Sequence, residues 1–221
     1  MFLSDEEYSY VIGLMDGTVR KSPLLEELAD WAKQELGLDV YAYFCNDVRT
    51  DVRRLRIILW EIGEYEKQKL WYYKENKRLG LNYKAQEKFR KEFAVLAQKF
   101  CMYPEYRDGR NYMVSYETIR DEIAKRILKA NSETIRALVF GHEDIWKIEL
   151  IFGSVHIFYE TDEQVQQHEA DGVSSGLRQS CADIVRGQDK FGVFSNGVSC
   201  VFTSKQTLDE KYAGSMFNYT R

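Results

Sequence analysis

The chain has 221 residues, 30% of them charged and 44% apolar, with a formal net charge of −4. That balance suits a globular protein with a substantial core and excludes a disordered chain, and having only two prolines, Pro23 and Pro104, argues against long linkers. The longest nearly uncharged run, 148–159, contains Glu149 and His156 and is too short to span a bilayer; residues 1–7 lack the basic and apolar regions of a secretory leader. A cytoplasmic protein with no membrane association is therefore expected.

In chain order, Ser22 and Pro23 read as an N-cap and first helical residue, opening a helix with Leu24, Leu25, Leu28, Trp31, Ala32 and Leu36 on one stripe and Gly37 at its end. A strand is expected at 40–45. A second follows at 53–60, where the unbroken apolar run 57–60 suggests a central strand or one covered on both faces. Residues 64–100 are expected to be helical with a break at 80–82, and Phe89, Phe93, Leu96, Ala97 and Phe100 form the buried stripe. After a loop at 103–109, residues 116–130 return to helical spacing through Ile119, Ile123 and Ile127, while 135–140 fits either a strand or a last helical turn.

The clearest architectural signal lies at 146–202. Residues 146–152 alternate and pair with 155–159 across a Gly153-Ser154 turn; 191–194 pair with 198–202 across Asn196-Gly197, a dipeptide that accepts the positive φ angles of a type I′ turn. Each hairpin leads into a helix through a capping box, Thr161 with Gln164 and Thr203 with Gln206. A looser third copy of this hairpin–helix unit is read at 40–45, 55–60 and a helix from Ile62. A helix at 205–212 ends the series, and an apolar tail with Met216, Phe217 and Tyr219 is expected to pack back on the body.

The fold class is thus α+β: an antiparallel or mixed sheet built from hairpins, with helices packed on it and the hairpin–helix unit repeated. Residues 1–221 are read as a single compact domain, the alternative being halves 1–108 and 109–221.

Two segments carry candidate binding chemistry. Between 67 and 91 nine cations stand against two carboxylates, a side-chain charge of +7, and aromatic residues interleave with them. Lys67, Lys69, Trp71, Tyr72, Tyr73, Lys74, Lys77, Arg78 and Lys84 make a composition in which phosphates are neutralised and bases stack on rings. A solvated helical face with Lys stems over apolar surface is the competing account. Residues 1–39 carry nine carboxylates against three cations, −6, so the two stretches can attract each other or a protein partner. In the second segment Gly172, Ser174, Ser175 and Arg178 interrupt a helical pattern and fit an anion or ligand site at a helix start, against which stands a simple helix break without P-loop spacing.

No metal or cofactor is expected: His142, His156 and His168 have no zinc-ligand spacing, and Cys45, Cys101, Cys181 and Cys200 no CxxC spacing, which reads as reduced thiols. Glu75 and Lys77, the one nuclease-like Glu-x-Lys in a plausible place, fall where a helix is expected, and there is no serine elbow or kinase signature. The expectation is a non-catalytic binding protein acting through a protein–protein interface, an inhibitor, immunity-type or adaptor role for which the 15 tyrosines suit an interface. The alternatives are a nucleic-acid-binding or -modifying protein using 67–91, and an enzyme of unknown chemistry near Gly172 and the strand end at Glu160 and Asp162.

Overall fold

A computed structural model of the protein describes residues 3–49, 52–61, 71–73, 79–81, 83–110 and 112–221. Its contacts cluster into two compact units, residues 1–120 and 121–221. Among the described residues the architecture is α+β, with helices, two three-stranded mixed sheets and a two-stranded ribbon; none of the helices is long and apolar enough to cross a membrane.

The first unit opens with a helix the sequence reading passed over. In α1 (Asp5–Asp16) the Ser4 hydroxyl accepts the Glu7 amide and the Glu7 carboxylate accepts the Ser4 amide, a capping box that satisfies two orphan donors. Helix α2 (Pro23–Leu36) starts and stops as expected, with Ser22 capping Leu25 and Gly37 at φ 71°. Strands β1 (Val40–Arg49) and β2 (Val52–Leu59) pair antiparallel. A ribbon of β3 (Trp71–Tyr73) and β4 (Leu79–Leu81) comes next, then α3 (Tyr83–Lys99), a 3₁₀ turn at Pro104–Tyr106 and β5 (Tyr112–Thr118). Strand β5 lies parallel to β2, so β2 is central, as its apolar run suggests.

Residues opposite each other on adjacent strands share a face. Tyr43, Ile57 and Tyr116 therefore form one row, and Phe44, Arg56 and Ser115 the row behind it. The first face is covered by α3, whose Phe89 meets Tyr116 and whose Phe93 meets Tyr43, and α2 lies beside α3 through Trp31 against Phe89 and Glu27 against Lys99. Helix α1 covers the other face through Tyr10 on Phe44 and Glu7 on Arg56. Ile57, Ile58 and Leu59 are consequently all buried. Each such side chain contributes about 1.5–3 kcal/mol.

Two expectations fail here. The reading of 64–100 as helical is corrected at Trp71–Tyr73 and Leu79–Leu81, which are strands: aromatic residues favour the pleated ribbon, and Gly80 disfavours a helix. Glu75 and Lys77 and the start proposed at Ile62 lie outside the described residues. Helical spacing from Tyr116 is also corrected, because β5 runs through Thr118 and α4 (Ile119–Ala130) begins only at Ile119; Tyr112, Val114 and Tyr116 alternate inward.

In the second unit, α5 (Ser132–Arg136) runs into a 3₁₀ turn at Ala137–Gly141, so 135–140 is helical and not a strand. The first hairpin forms from β6 (Ile145–Ile151) and β7 (Ser154–Tyr159), with the turn at Phe152-Gly153 and not Gly153-Ser154. A bulge leaves Trp146 without a ladder partner, so the buried residues Ile145 and Ile148 are three apart and the expected alternation of 146–152 is broken at its start. Helix α6 (Asp162–Ala170) starts with the expected Thr161–Gln164 box. It is followed by α7 (Val173–Arg186).

The second hairpin does not form. The Asp189 carboxylate takes the amides of Val193 and Phe194, which a ladder would need, and β8 (Cys200–Ser204) joins β7 in parallel. Helix α8 (Lys205–Tyr212) is capped by Ser204, one residue later than expected, because the Ser204 hydroxyl accepts the Thr207 amide while donating to Asp162. Among the described residues the repeated hairpin–helix unit is therefore not confirmed: its second copy has no hairpin, and the helix of its third copy lies outside them. In the last helix, α9 (Met216–Tyr219), Tyr219 packs on Phe158 and its hydroxyl lies 2.8 Å from His156 Nδ1, as the apolar tail implied.

The Arg56 guanidinium is 3% exposed and donates to both Glu117 oxygens at 2.7 and 2.8 Å and to Glu7 at 2.7 Å. Removing a buried cation leaves its carboxylates uncompensated. Arg56→Met is expected to lower the unfolding free energy by about 3–5 kcal/mol in urea titrations. Lys33→Met, which breaks the exposed bridge to Asp39, is expected to change it by no more than about 1 kcal/mol.

Candidate functional site

The densest group of titratable side chains in the second unit surrounds His168. Asp144, just before β6, accepts His168 Nε2 at 2.9 Å and Gln164 Nε2 at 2.8 Å. Asp171, at the junction of α6 and α7, lies 3.0 Å from His168 Nδ1. A neutral imidazole has one N–H to donate, so two carboxylate acceptors require the imidazolium. Burial opposes that charge, yet the bonds to Asp144 and Asp171 outweigh it and raise the pKa above its ordinary value. The Tyr159 ring lies 4.9 Å from the imidazole, and its hydroxyl pairs with the Ser174 hydroxyl at 3.0 Å in the buried layer beneath.

This arrangement clamps three elements together and commits both imidazole nitrogens. Ser174 is bonded to Tyr159 and not to the imidazole, so the cluster lacks the nucleophile–base contact of acyl-transfer sites. No group of three His, Cys, Asp or Glu side chains placed to hold a metal is found among the described residues. The sequence gives half a signal for this clamp. Asp171 stands three residues beyond His168 on a helix, whereas Asp144 is brought in only by the fold.

The glycine–serine segment becomes the start of α7, with Gly172 as its N-cap at φ 89°. Asp171 Oδ1 accepts the Val173 amide, so the chain's own carboxylate already stands at this helix end. Ser174 turns into the core, Ser175 is exposed, and the Arg178 guanidinium lies 5.3 Å over the Phe202 ring. The four residues thus share one helix start without converging on a common open cradle. Asp162, at the strand end singled out beside them, accepts bonds from Ser204 and from Thr207 at 2.7 Å.

In the first unit, Lys67, Lys69, Lys74, Lys77 and Arg78 lie outside the described residues; Trp71, Tyr72 and Tyr73 form β3, and Lys84 sits exposed on the first turn of α3. Farther along α3 an open groove of about 650 Å³ is lined by Glu87, Arg90, Lys91, Ala94, Val95 and the 108–110 turn. Gly109 closes that turn at φ 65° with its Cα facing Ala94, and Asp108 caps the Arg110 amide. The acidic excess of 1–39 is partly spent inside this unit, with Glu7 on Arg56, Glu27 on Lys99 and Asp39 on Lys33. Some of the tyrosines are similarly consumed: Tyr106, Tyr112, Tyr116 and Tyr159 are buried, so the number of tyrosines overstates what an interface can use.

The His168 clamp has a pH signature. A pKa raised on folding means that the stabilisation is complete below the unfolded value of 6.5 and is lost as pH rises through the folded value. His156, whose pKa burial lowers, acts with the opposite sign and only below 6.5. As pH rises above 6.5 the melting temperature is therefore expected to fall until His168 has lost its proton. His168→Gln is expected to flatten that slope in scanning calorimetry. Compared with known proteins, the chain matches no family model, no curated protein and no solved structure.

Proposed function

We propose that the protein is a non-catalytic binding protein that works inside the cell by docking another protein, in an inhibitor, immunity-type or adaptor role. One observation carries this reading: Phe152, at the tip of the β6–β7 hairpin, holds a left-handed φ of 49° and is 78% exposed. A two-residue type I′ turn wants Asn or Asp at that position, and a bulky aromatic there costs about 1 kcal/mol or more of backbone strain. Among the described residues nothing repays that cost, since the ring projects into solvent. A large apolar side chain held rigidly outward at local expense is the property of a docking anchor. Phe140, 90% exposed on the 3₁₀ turn that packs beside β6, supports the same reading.

The nucleic-acid alternative is favoured by the α3 groove, which presents Arg90 and Lys91 on the helix that continues the basic stretch and Arg110 on the turn beside it. Glu87 and Asp108 line the same groove, and Lys91 is already paired with Glu87, which reduces its pull on phosphate. Under this alternative, labelled oligonucleotides bind with an affinity that falls steeply with salt and drops on Arg110→Glu. Absence of binding at low salt removes it.

Phe152→Asn separates docking from folding. Asn-Gly is the preferred pair for this turn, so the variant is expected to gain about 0.5–1 kcal/mol in stability. It is also expected to lose the partner retained by the wild-type protein in affinity capture from its native lysate. Equal retention by the two proteins would overturn the docking reading.

A further inference from the structure

Helix α7 lies along the second sheet in three rungs. Ser174 bonds Tyr159, whose neighbour across the parallel ladder is Ser204. One helical turn later, Arg178 covers Phe202, two residues back on the same face of β8. The next position on that helix stripe is Cys181, and the next on that strand face is Cys200. A helix advances about 1.5 Å per residue. A strand advances about 3.3 Å per residue, so the steps 174–178–181 and 204–202–200 stay nearly level. The third rung therefore places Cys181 over Cys200, where the two thiols act on one another.

The pair is asymmetric. Cys181 is fully buried, whereas Cys200 is part-exposed where β8 emerges from the turns at 189–199. The hydrogen bond from Cys181, with the positive charge of Arg178 nearby, outweighs burial and lowers the pKa of Cys200. The same hydrogen bond, with burial, pushes Cys181 up. By contrast Cys45 is pushed up to about 12, chiefly by burial. Cys101 stands alone and exposed.

We propose that Cys181 and Cys200 form a redox modification site: a hydroperoxide oxidises Cys200 to the sulfenic acid, and Cys181 resolves it to a reversible disulfide. In the first step the Cys200 thiolate attacks one peroxide oxygen, the O–O bond breaks, and the departing oxygen takes a proton to leave as water or an alcohol. In the second, the Cys181 sulfur attacks the sulfenic sulfur, the S–S bond forms as the S–O bond breaks, and the Cys181 proton leaves with the hydroxide as water. The two thiols lose two electrons in all, and the hydroperoxide gains them. The crosslink would tie the middle of α7 to the first residue of β8. This site is independent of the docking reading, which rests on Phe140 and Phe152.

The experiment treats the folded, full-length protein with equimolar hydrogen peroxide at neutral pH, blocks remaining thiols with an alkylating agent and maps peptides without reduction. The expected product joins the Cys181 and Cys200 peptides, leaves Cys101 alkylated and reverts with dithiothreitol. Cys181→Ser, lacking the resolving thiol, is expected to accumulate a sulfenic acid on Cys200 that dimedone labels. Arg178→Gln is expected to slow alkylation of Cys200 severalfold. Recovery of both Cys181 and Cys200 as free thiols after Cys101 has been consumed would overturn the proposal, and that result is read on the wild-type protein, whatever the fate of the variants.

Discussion

Each unit holds a largely buried cation that carboxylates neutralise. In the first, Arg56 stands on the central strand, and three of its donors are met by Glu117 on the neighbouring strand and Glu7 on α1. A guanidinium there has no deprotonated form to retreat to, so both carboxylates have to be delivered by the fold. Glu7 is in turn oriented by its bond from the Ser4 amide, which makes the start of α1 part of the same network. In the second unit His168 is held by Asp171, at the end of its own helix, and by Asp144 from a separate segment. The difference is chemical: imidazolium can lose its proton. The first unit's clamp is therefore insensitive to pH near neutrality, and the second's weakens above it.

The two three-stranded sheets solve a common problem in the same way. Each is an antiparallel hairpin whose second strand becomes central when a later strand joins it in parallel. A parallel partner cannot be reached by a tight turn, so the chain has to cross over, and helices cover the central strand as it does so. Helix α3 fills this role in the first unit and brings Phe89 and Phe93 onto the tyrosine row. In the second, α6 and α7 fill it, and α7 brings Ser174, Arg178 and Cys181 over Tyr159, Phe202 and Cys200. The cysteine pair is thus a product of topology, since residues 181 and 200 have no spacing that marks them.

What the sequence made legible were features with local causes. The Ser22-Pro23 start, the Thr161–Gln164 box, the central strand at 57–59 and the 119–123–127 stripe depend on residues within a turn or two of one another. The failures have non-local causes. Asn196-Gly197 does make a turn, with Gly197 at φ 86°, but the side chain of Asp189 takes the amides that the strand before it would have used. Strand β5 was hidden because its apolar alternation runs without a break into the helix that follows. Of the candidate sites, the position of Arg178 was legible, but not the pairing of Ser174 with Tyr159 or the approach of Asp144 to His168, each of which depends on which segments the fold stacks together.

The aromatic and charged residues sort by the same physics. Tyr106, Tyr112, Tyr116 and Tyr159 are buried, their rings filling sheet–helix layers, and surface carboxylates such as Glu27 and Asp39 are tied to nearby lysines. Counts of tyrosine or of net charge therefore overstate what remains for a partner. The informative residues are those that the interior had no use for and that the backbone nevertheless holds in place. Trp146 is pushed outward by a bulge, yet it rests on Phe158 and has Lys147 and Lys205 beside its ring, so its position is accounted for within the unit. Phe152 has no such contact among the described residues. Its ring is exposed and its φ is unfavourable, and any one of Asn, Asp or Gly would satisfy the turn better, which is the ground on which the docking proposal stands.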